Sequence, residues 1–362
     1  MSDTMTDTLI IKEPSLIETL RARYFSSLSN SLLSIVCFAI LAWIAWSLLD
    51  WAVIHAVVSA EGGPEACKEA EGACWAVISA RWNLILFGLY PYSEYWRSGL
   101  ACAVVVLMTV LSCLPRFWSG KAIATIWIAG FVTFYTLMKG GIFGLPVVDE
   151  EKWGGLSLTV FIFVSTALIG MPLSIVWALL RRSNLPLVAR TTGVIIDAVR
   201  SLPLLSILFT FAVVLPFVLP DWARGDKLYR VIVGSALFFS AYQAEIIRGG
   251  LQGVPKGQEE AAQSLGLGYW DRVSRILLPQ AFKNAMPATI NQFVITFKET
   301  SLVIIVGFFE LLASGNAAYG TGDWTFAFIE VYSFIAAIYF VFVFSLSRYG
   351  AYLERRMAVG DR

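Results

Sequence analysis

Long apolar runs alternate with short polar connections along most of this chain. The runs lie near 31–58, 98–115, 121–139, 156–180, 203–219, 229–248, 289–309 and 325–349. They approach or reach the roughly 20 apolar residues that cross a bilayer as a helix. The pattern predicts an all-α polytopic membrane protein with about eight transmembrane helices, the runs at 98–115 and 203–219 being the short ones,. A further apolar patch, Leu84 to Tyr90, sits between Arg81 and Pro91. It is too short to cross, and a surface or re-entrant segment is expected there.

Composition agrees with the pattern. The 362 residues are 57% hydrophobic, against roughly 45–50% in soluble proteins, and mean hydropathy is +0.70. Residues 1–30 carry Asp3, Asp7, Glu13 and Glu18 and turn apolar only at Ser31. A secretory signal starts basic and becomes apolar within a few residues, so no cleavable signal is expected. Ser15 and Glu18 have capping-box spacing, which fits a short surface helix over 15–28 as well as a disordered tail would. Eight spans put both termini on one side. About two-thirds of the 27 Lys and Arg then share that side with the termini,. Opposite them stand Lys68, Arg81, Arg97, Lys139, Lys152, Arg224, Lys227 and Arg230, and Lys298 falls inside a run. The bias predicts cytoplasmic termini and a cytoplasmic 249–288 loop. Trp43, Trp46 and Trp51 suit the headgroup level.

The polar stretch Val254 to Gln280 interrupts the apolar pattern most sharply. Pro255 suits a first helical turn. Glu259 and Glu260 suit the positive end of a helix dipole. Ala261 and Ala262 leave the backbone approachable, and Gly266 suits a left-handed helix stop. A second helix is expected through Trp270, Val273, Ile276 and Leu277, closed by Pro279. Periodicity alone fits either an amphipathic loop on the membrane surface or a handle for a partner.

The spacing adds more. Glu260-Ala261-Ala262, three residues, Gly266, nine residues, Ile276, one residue, Leu278-Pro279 resembles the signature loop of permease subunits in binding-protein-dependent ABC importers. Ala241 to Gly250 and Phe297 to Leu302 are similar to the polar amino acid branch of these permeases, the histidine/glutamine type. Arg200-Ser201-Leu202-Pro203 resembles that branch's Arg-Gly-Thr-Pro turn, with Ser201 and Leu202 replacing Gly and Thr. The amino-terminal part looks like the larger permease subunits of general L-amino acid importers. This resemblance implies a cytoplasmic tail over 1–30, a three-span extension with a periplasmic loop over 31–150, and a five-helix permease core over 151–355. The extension is expected to pack around the outside of the core. The 249–288 loop would carry the coupling helix that docks on a separate ATPase subunit, with ATP and Mg bound there. A second homologous permease in a heterodimer, a periplasmic amino-acid-binding protein and an L-amino acid are the other implied partners, in a bacterial inner membrane. No nucleic acid is implied.

Candidate chemistry narrows the reading further. No Gly-x-x-x-x-Gly-Lys-Ser/Thr phosphate loop occurs,, so this chain is not expected to be an enzyme and ATP hydrolysis falls to the partner. His55 is the single histidine, which excludes a multi-histidine metal site. Cys67 and Cys74 share the outer loop. If that face is periplasmic, a disulfide is permitted, and two free thiols fit as well. Lys298 and Glu299, with Thr300 and Ser301, are expected near the middle of the seventh span, where ionisable groups are functional or paired. They are substrate-pathway candidates. The alternative is that Lys298 snorkels while Glu299 pairs with another helix. Adjacent helical positions do not share a face. Arg200 is expected either to brace the entrance or to gate it. Glu245 and Arg248, three apart, are expected to form a local ion pair beside the loop. An ion-coupled secondary transporter or channel, or an ABC permease for another solute, remain the competing readings.

Overall fold

A computed structural model describes residues 15–59 and 61–358. Residues 1–14 of the expected tail lie outside the described residues. Contacts divide the chain into two compact units, Met1–Ala76 and Val77–Arg362.

In the first unit, α1 (Leu16–Tyr24) opens on a capping box: Ser15 Oγ accepts from the Glu18 amide and the Glu18 carboxylate accepts from the Ser15 amide. Two otherwise orphaned donors are thereby satisfied. The first span, α2 (Leu28–Leu49), is capped by Ser27 and runs through a π turn to Ile54. Beyond it lies α3 (Gly63–Lys68). Cys67 and Cys74 are joined as a disulfide with their Cα atoms 5.4 Å apart. Trp75 Nε1 donates to Ala52 O at 2.7 Å, and the Ala73 amide donates to Trp51 O at 2.8 Å. The cross-linked loop is thus folded back on the end of the first span.

Helix α4 (Ala76–Phe87) begins at the unit boundary and fills the Leu84–Tyr90 region with 12 helical residues, too few to cross,. Next come α5 (Tyr95–Cys113), α6 (Gly120–Lys139) and α7 (Gly155–Arg181). Helix α8 (Pro186–Ser201) and α9 (Leu204–Phe209) follow, then two short helices, α10 (Leu215–Val218) and α11 (Asp221–Arg224). Helix α12 (Lys227–Gln252) leads to α13 (Lys256–Ser264), α14 (Tyr269–Arg272) and α15 (Leu278–Glu299). Helices α16 (Leu311–Gly320) and α17 (Phe328–Ala358) complete the chain. Among the described residues, seven helices are long and apolar enough to cross a membrane, or up to eight if the bent α8–α10 pair counts as one.

Three expectations are corrected here. The fifth span is not a straight helix over 203–219, because Pro186–Ser201 and Leu204–Val218 meet at 101°. Pro203 lacks an amide hydrogen and holds Leu202 extended at ψ 141°, so α8 cannot continue through it. Helix α8 leaves no long apolar run in the sequence, because Arg190, Asp197 and Arg200 interrupt it. Secondly, Pro279 does not close the second helix of the loop. One helical span runs from Tyr269 to Val306 instead of beginning at 289. A π turn over Val273–Leu277 precedes Pro279, and the Leu278 amide bonds back to Val273 O. The wider turn shifts the carbonyls that a proline ring would otherwise strike. The same device, a π turn over Thr210–Val214, stands ahead of Pro216. Thirdly, Lys298 and Glu299 lie in the last turn of α15, followed by a 3-10 segment over Thr300–Val306, rather than at mid-span.

Helix α12 sits at the centre of the second unit, packed on α7 and α15. A Cβ at Gly250 would stand 2.3 Å from Ala281 O, so only glycine permits this backbone approach. The boundary after Ala76 means that α5 and α6 share one body with α7 and α12. Ser98 Oγ donates to Ser157 Oγ at 2.9 Å, and Phe131 and Phe134 each stack on Phe161 at 5.7 Å. Arg97, fully buried inside α5, donates to Leu137 O at 2.7 Å and Pro146 O at 3.0 Å. Lys139 pairs with Glu150 at 2.6 Å, and Tyr229 donates to the same carboxylate at 2.5 Å while bonding Tyr135 at 2.8 Å.

Burial alone would raise the Glu150 carboxyl, but the hydrogen bonds from Lys139 and Tyr229 outweigh it and hold it below the usual range. A depressed carboxylate stabilises the fold above its unfolded pKa and loses that contribution as pH falls through the folded value. Glu150→Gln should therefore cost about 1–3 kcal/mol at neutral pH, and the gap from wild type should close below the ordinary carboxylate range, as read by thermal unfolding. Peptide mapping without reductant should recover Cys67 and Cys74 in one cross-linked species. Two free thiols would contradict the fold of the first unit.

Candidate functional site

The polar stretch folds as a helical knob on top of α15. Pro255 precedes α13 at φ −58° and ψ 131°, and Glu259 occupies the first turn. The helix stops at Gly266, whose φ is +73°. There the Leu267 amide donates to Ala262 O at 3.2 Å and the Gly266 amide to Gln263 O at 2.9 Å. These are the paired bonds of a Schellman stop, which needs a left-handed residue at this position. Ala262 is buried, as are Val273 and Leu277 beneath it, while Ile276 and Leu278 are half-buried. Glu260, Ala261, Gly266 and Pro279 are exposed. The tip is apolar: Leu265 is 80% exposed and Trp270 72%.

One ion pair ties the knob to the end of α7, and a charged network beside it links α7, α8 and α12. Arg182, just past the end of α7, bonds Glu259 of α13. Glu245 of α12, 13% exposed, takes Arg248 at 2.8 Å and Arg181 at 3.2 Å, with Arg200 at 3.9 Å. Arg181 also makes a bidentate pair with Asp197 of α8, at 2.9 and 3.0 Å. The Arg200 guanidinium lies 5.3 Å from the Tyr242 ring centre, and Tyr242 donates to Arg200 O at 3.1 Å. A cavity of about 380 Å³ opens among Arg181, Arg182, Arg248, Lys256 and Glu259. The sequence pairing of Glu245 with Arg248 is thus part of a larger network. Arg181 and Asp197 were missed, because residues far apart in sequence carry no spacing signal.

The substrate-pathway candidates separate. Glu299 and Thr300 line a small cavity with Thr166, Ser235 and Thr296. Lys298 is exposed, Ser301 Oγ donates to Lys298 O at 2.9 Å, and Arg200 belongs to the network above. A group the sequence did not flag is Glu310, fully buried, accepting from the Leu312 and Ala313 amides at 2.9 Å each. It caps α16, a short helix with no counterpart among the predicted elements. Tyr339 and Thr159 donate to it at 3.3 and 3.4 Å.

Residues 170–359 match the family model described as binding-protein-dependent transport system inner membrane component. The chain belongs to this family. It is 41% identical over 350 residues to the inner membrane amino-acid ABC transporter permease protein YhdY of Escherichia coli (strain K12), covering 94% of this chain and 92% of that protein. It is 32% identical over 413 residues to the glutamate/glutamine/aspartate/asparagine transport system permease protein BztC of Rhodobacter capsulatus, covering 96% and 95%. The glutamate/aspartate import permease protein GltK of Escherichia coli O6:H1 matches at 32% over 209 residues, 56% of this chain and 92% of that protein. The family match thus takes in the knob, the Glu245 network and Glu299, whereas Ile162 and Thr166 of the cavity wall, α5 and α6 lie outside it. The two long relatives extend over nearly the whole chain, so the extension is shared with them.

Glu245→Ala should leave three arginines without a common acceptor. The expected cost is about 2–4 kcal/mol, against under about 1 kcal/mol for the more exposed Asp197→Ala. Equal melting temperatures for the two variants would contradict the hub arrangement.

Proposed function

We propose that this chain is the permease subunit through which an ATP-driven importer carries an L-amino acid from periplasm to cytoplasm. The 249–288 connection is then the cytoplasmic handle of the ATPase subunit, and α13 is the coupling helix. The observation that carries this reading is the knob: a rigid Schellman-stopped helix with an exposed apolar tip, braced by Arg182–Glu259 to the end of α7. Exposed apolar groups rimmed by charge are what a docking partner covers. The names of the long relatives, amino-acid and glutamate/glutamine/aspartate/asparagine permeases, support the solute class.

On this reading ATP and Mg are held by the partner ATPase. A periplasmic binding protein delivers the amino acid, and a second homologous permease completes the pathway as a heterodimer. Glu260, Ala261, Gly266 and Pro279 offer the ATPase contact, with Ala262, Ile276 and Leu278 packed beneath as its support. Glu299 and Thr300 are the pathway groups among the candidates, because they alone share a cavity. Arg200 braces the pathway where α8 bends into α9. Both termini face the cytoplasm. Purification without crosslinking should bring down an ATPase and a second permease with this chain. Full transport by this chain alone in liposomes would overturn the assignment.

Gly266→Asp should reach the membrane at wild-type level and lose uptake. Its Cβ meets nothing within 4 Å, so the fold loses only the roughly 1–2 kcal/mol of left-handed strain, while the charge spoils docking. Wild-type uptake by Gly266→Asp would contradict the coupling role.

A further inference from the structure

The cavity beside Glu299 has an unusual lining. It lies among α7, α12 and α15 and measures about 10 Å³, which is room for one water-sized occupant. Ser235 Oγ donates to Val231 O at 2.9 Å, Thr296 Oγ1 to Gln292 O at 2.9 Å, and Thr300 Oγ1 to Phe297 O at 2.7 Å. The Ser235 and Thr296 protons are committed to helix carbonyls, so those oxygens are left as acceptors, whereas the Thr300 hydroxyl is shared with Tyr339. Thr166 Oγ1 has no hydrogen-bond partner, and the residue is 1% exposed. The Glu299 carboxylate feels the Lys298 ammonium electrostatically. The remaining wall, including Ile162, Leu204, Phe238 and Phe239, is apolar.

Such a lining rejects an anion and under-serves a neutral molecule. Glu299 is half-buried, and a carboxylate held against an apolar wall is costly unless a positive charge accompanies it. Lys298 acts on it from the neighbouring position, but its ammonium is exposed and does not line the cavity. A divalent ion would call for several carboxylates or more oxygen ligands, and one carboxylate with up to four hydroxyls suits a single positive charge. We propose that this cavity binds one small monovalent cation, with Glu299 as counter-charge and the Thr166 hydroxyl as a ligand. The source is either a free ion, such as sodium or ammonium, or the ammonium head of the transported solute. The free-ion source stands apart from the amino acid reading, and the solute source rests on it. The space takes the head of an amino acid and not the whole molecule.

The test uses the full transporter with its ATPase and partner permease in lipid nanodiscs. Binding of 22Na+ and of labelled methylammonium is measured first without solute, with choline as the balancing ion. Saturable binding, weakened at least about tenfold in Thr166→Val and Glu299→Gln and retained in Thr166→Ser, places a free ion in the cavity. If no free ion binds, uptake of an amino acid is compared with uptake of its deaminated acid. A KM for the amino acid raised at least about tenfold in both variants, with retention in Thr166→Ser and no effect on the acid, identifies the solute head as the occupant. Melting temperatures in choline buffer show that the variants are folded, and Thr166→Ser keeps the result readable should Thr166→Val fail to fold. Absence of both ion binding and any ammonium-dependent change in KM would overturn the proposal and leave a cavity for structural water.

Discussion

How closely α12 can approach its neighbours governs much of the second unit. In a bilayer the backbone must satisfy its own polar groups, so the spans are helices. Helix association then depends on packing and on small residues at the contact. Gly250 brings the backbone of α12 against Ala281 of α15, and Ala241, Ala244 and Ile247 continue a tightly packed face. This contact lies beside Glu245 and just ahead of the knob. It places the carboxylate within reach of arginines from α7 and α8, and sets α13 where Arg182 can hold it.

Two polar centres therefore share α12. At one end lies the Glu245 network, where every carboxylate has an arginine. Further along lies the Glu299 cavity, where a carboxylate has none. The contrast follows from location. Arginines at the ends of α7, α8 and α12 stand beside Glu245, whereas Ile162, Leu204, Phe238 and Phe239 surround Glu299. The α8–α9 bend touches both centres, since Arg200 of α8 joins the network and Leu204 of α9 lines the cavity.

Much of the fold was legible in the apolar runs. The spans near 121–139, 156–180 and 229–248 end within a few residues of α6, α7 and α12, because uninterrupted apolar runs of this length have one good solution in lipid. The signature spacing also located the knob, since a left-handed stop requires glycine and Gly266 provides it. Illegibility began wherever a helix was not uniformly apolar. Helix α8 carries Arg190, Asp197 and Arg200, and α14 continues into α15 past Pro279, which reads as a stop. The π turn that lets Pro279 pass is a backbone adjustment that leaves no mark in composition.

The sequence by itself determined a polytopic helical protein, the position of its polar connection and the absence of a phosphate-binding loop. Its family membership followed from comparison over nearly the whole chain. Only the tertiary structure decided which charges meet. Arg181, Asp197 and Glu245 come from α7, α8 and α12, and Thr166, Ser235 and Glu299 from α7, α12 and α15, with no periodic relation. Local pattern fixes the helices because each span must satisfy its backbone within itself. Contacts between spans depend on side-chain shape and close approach across helices, which no single run of residues records.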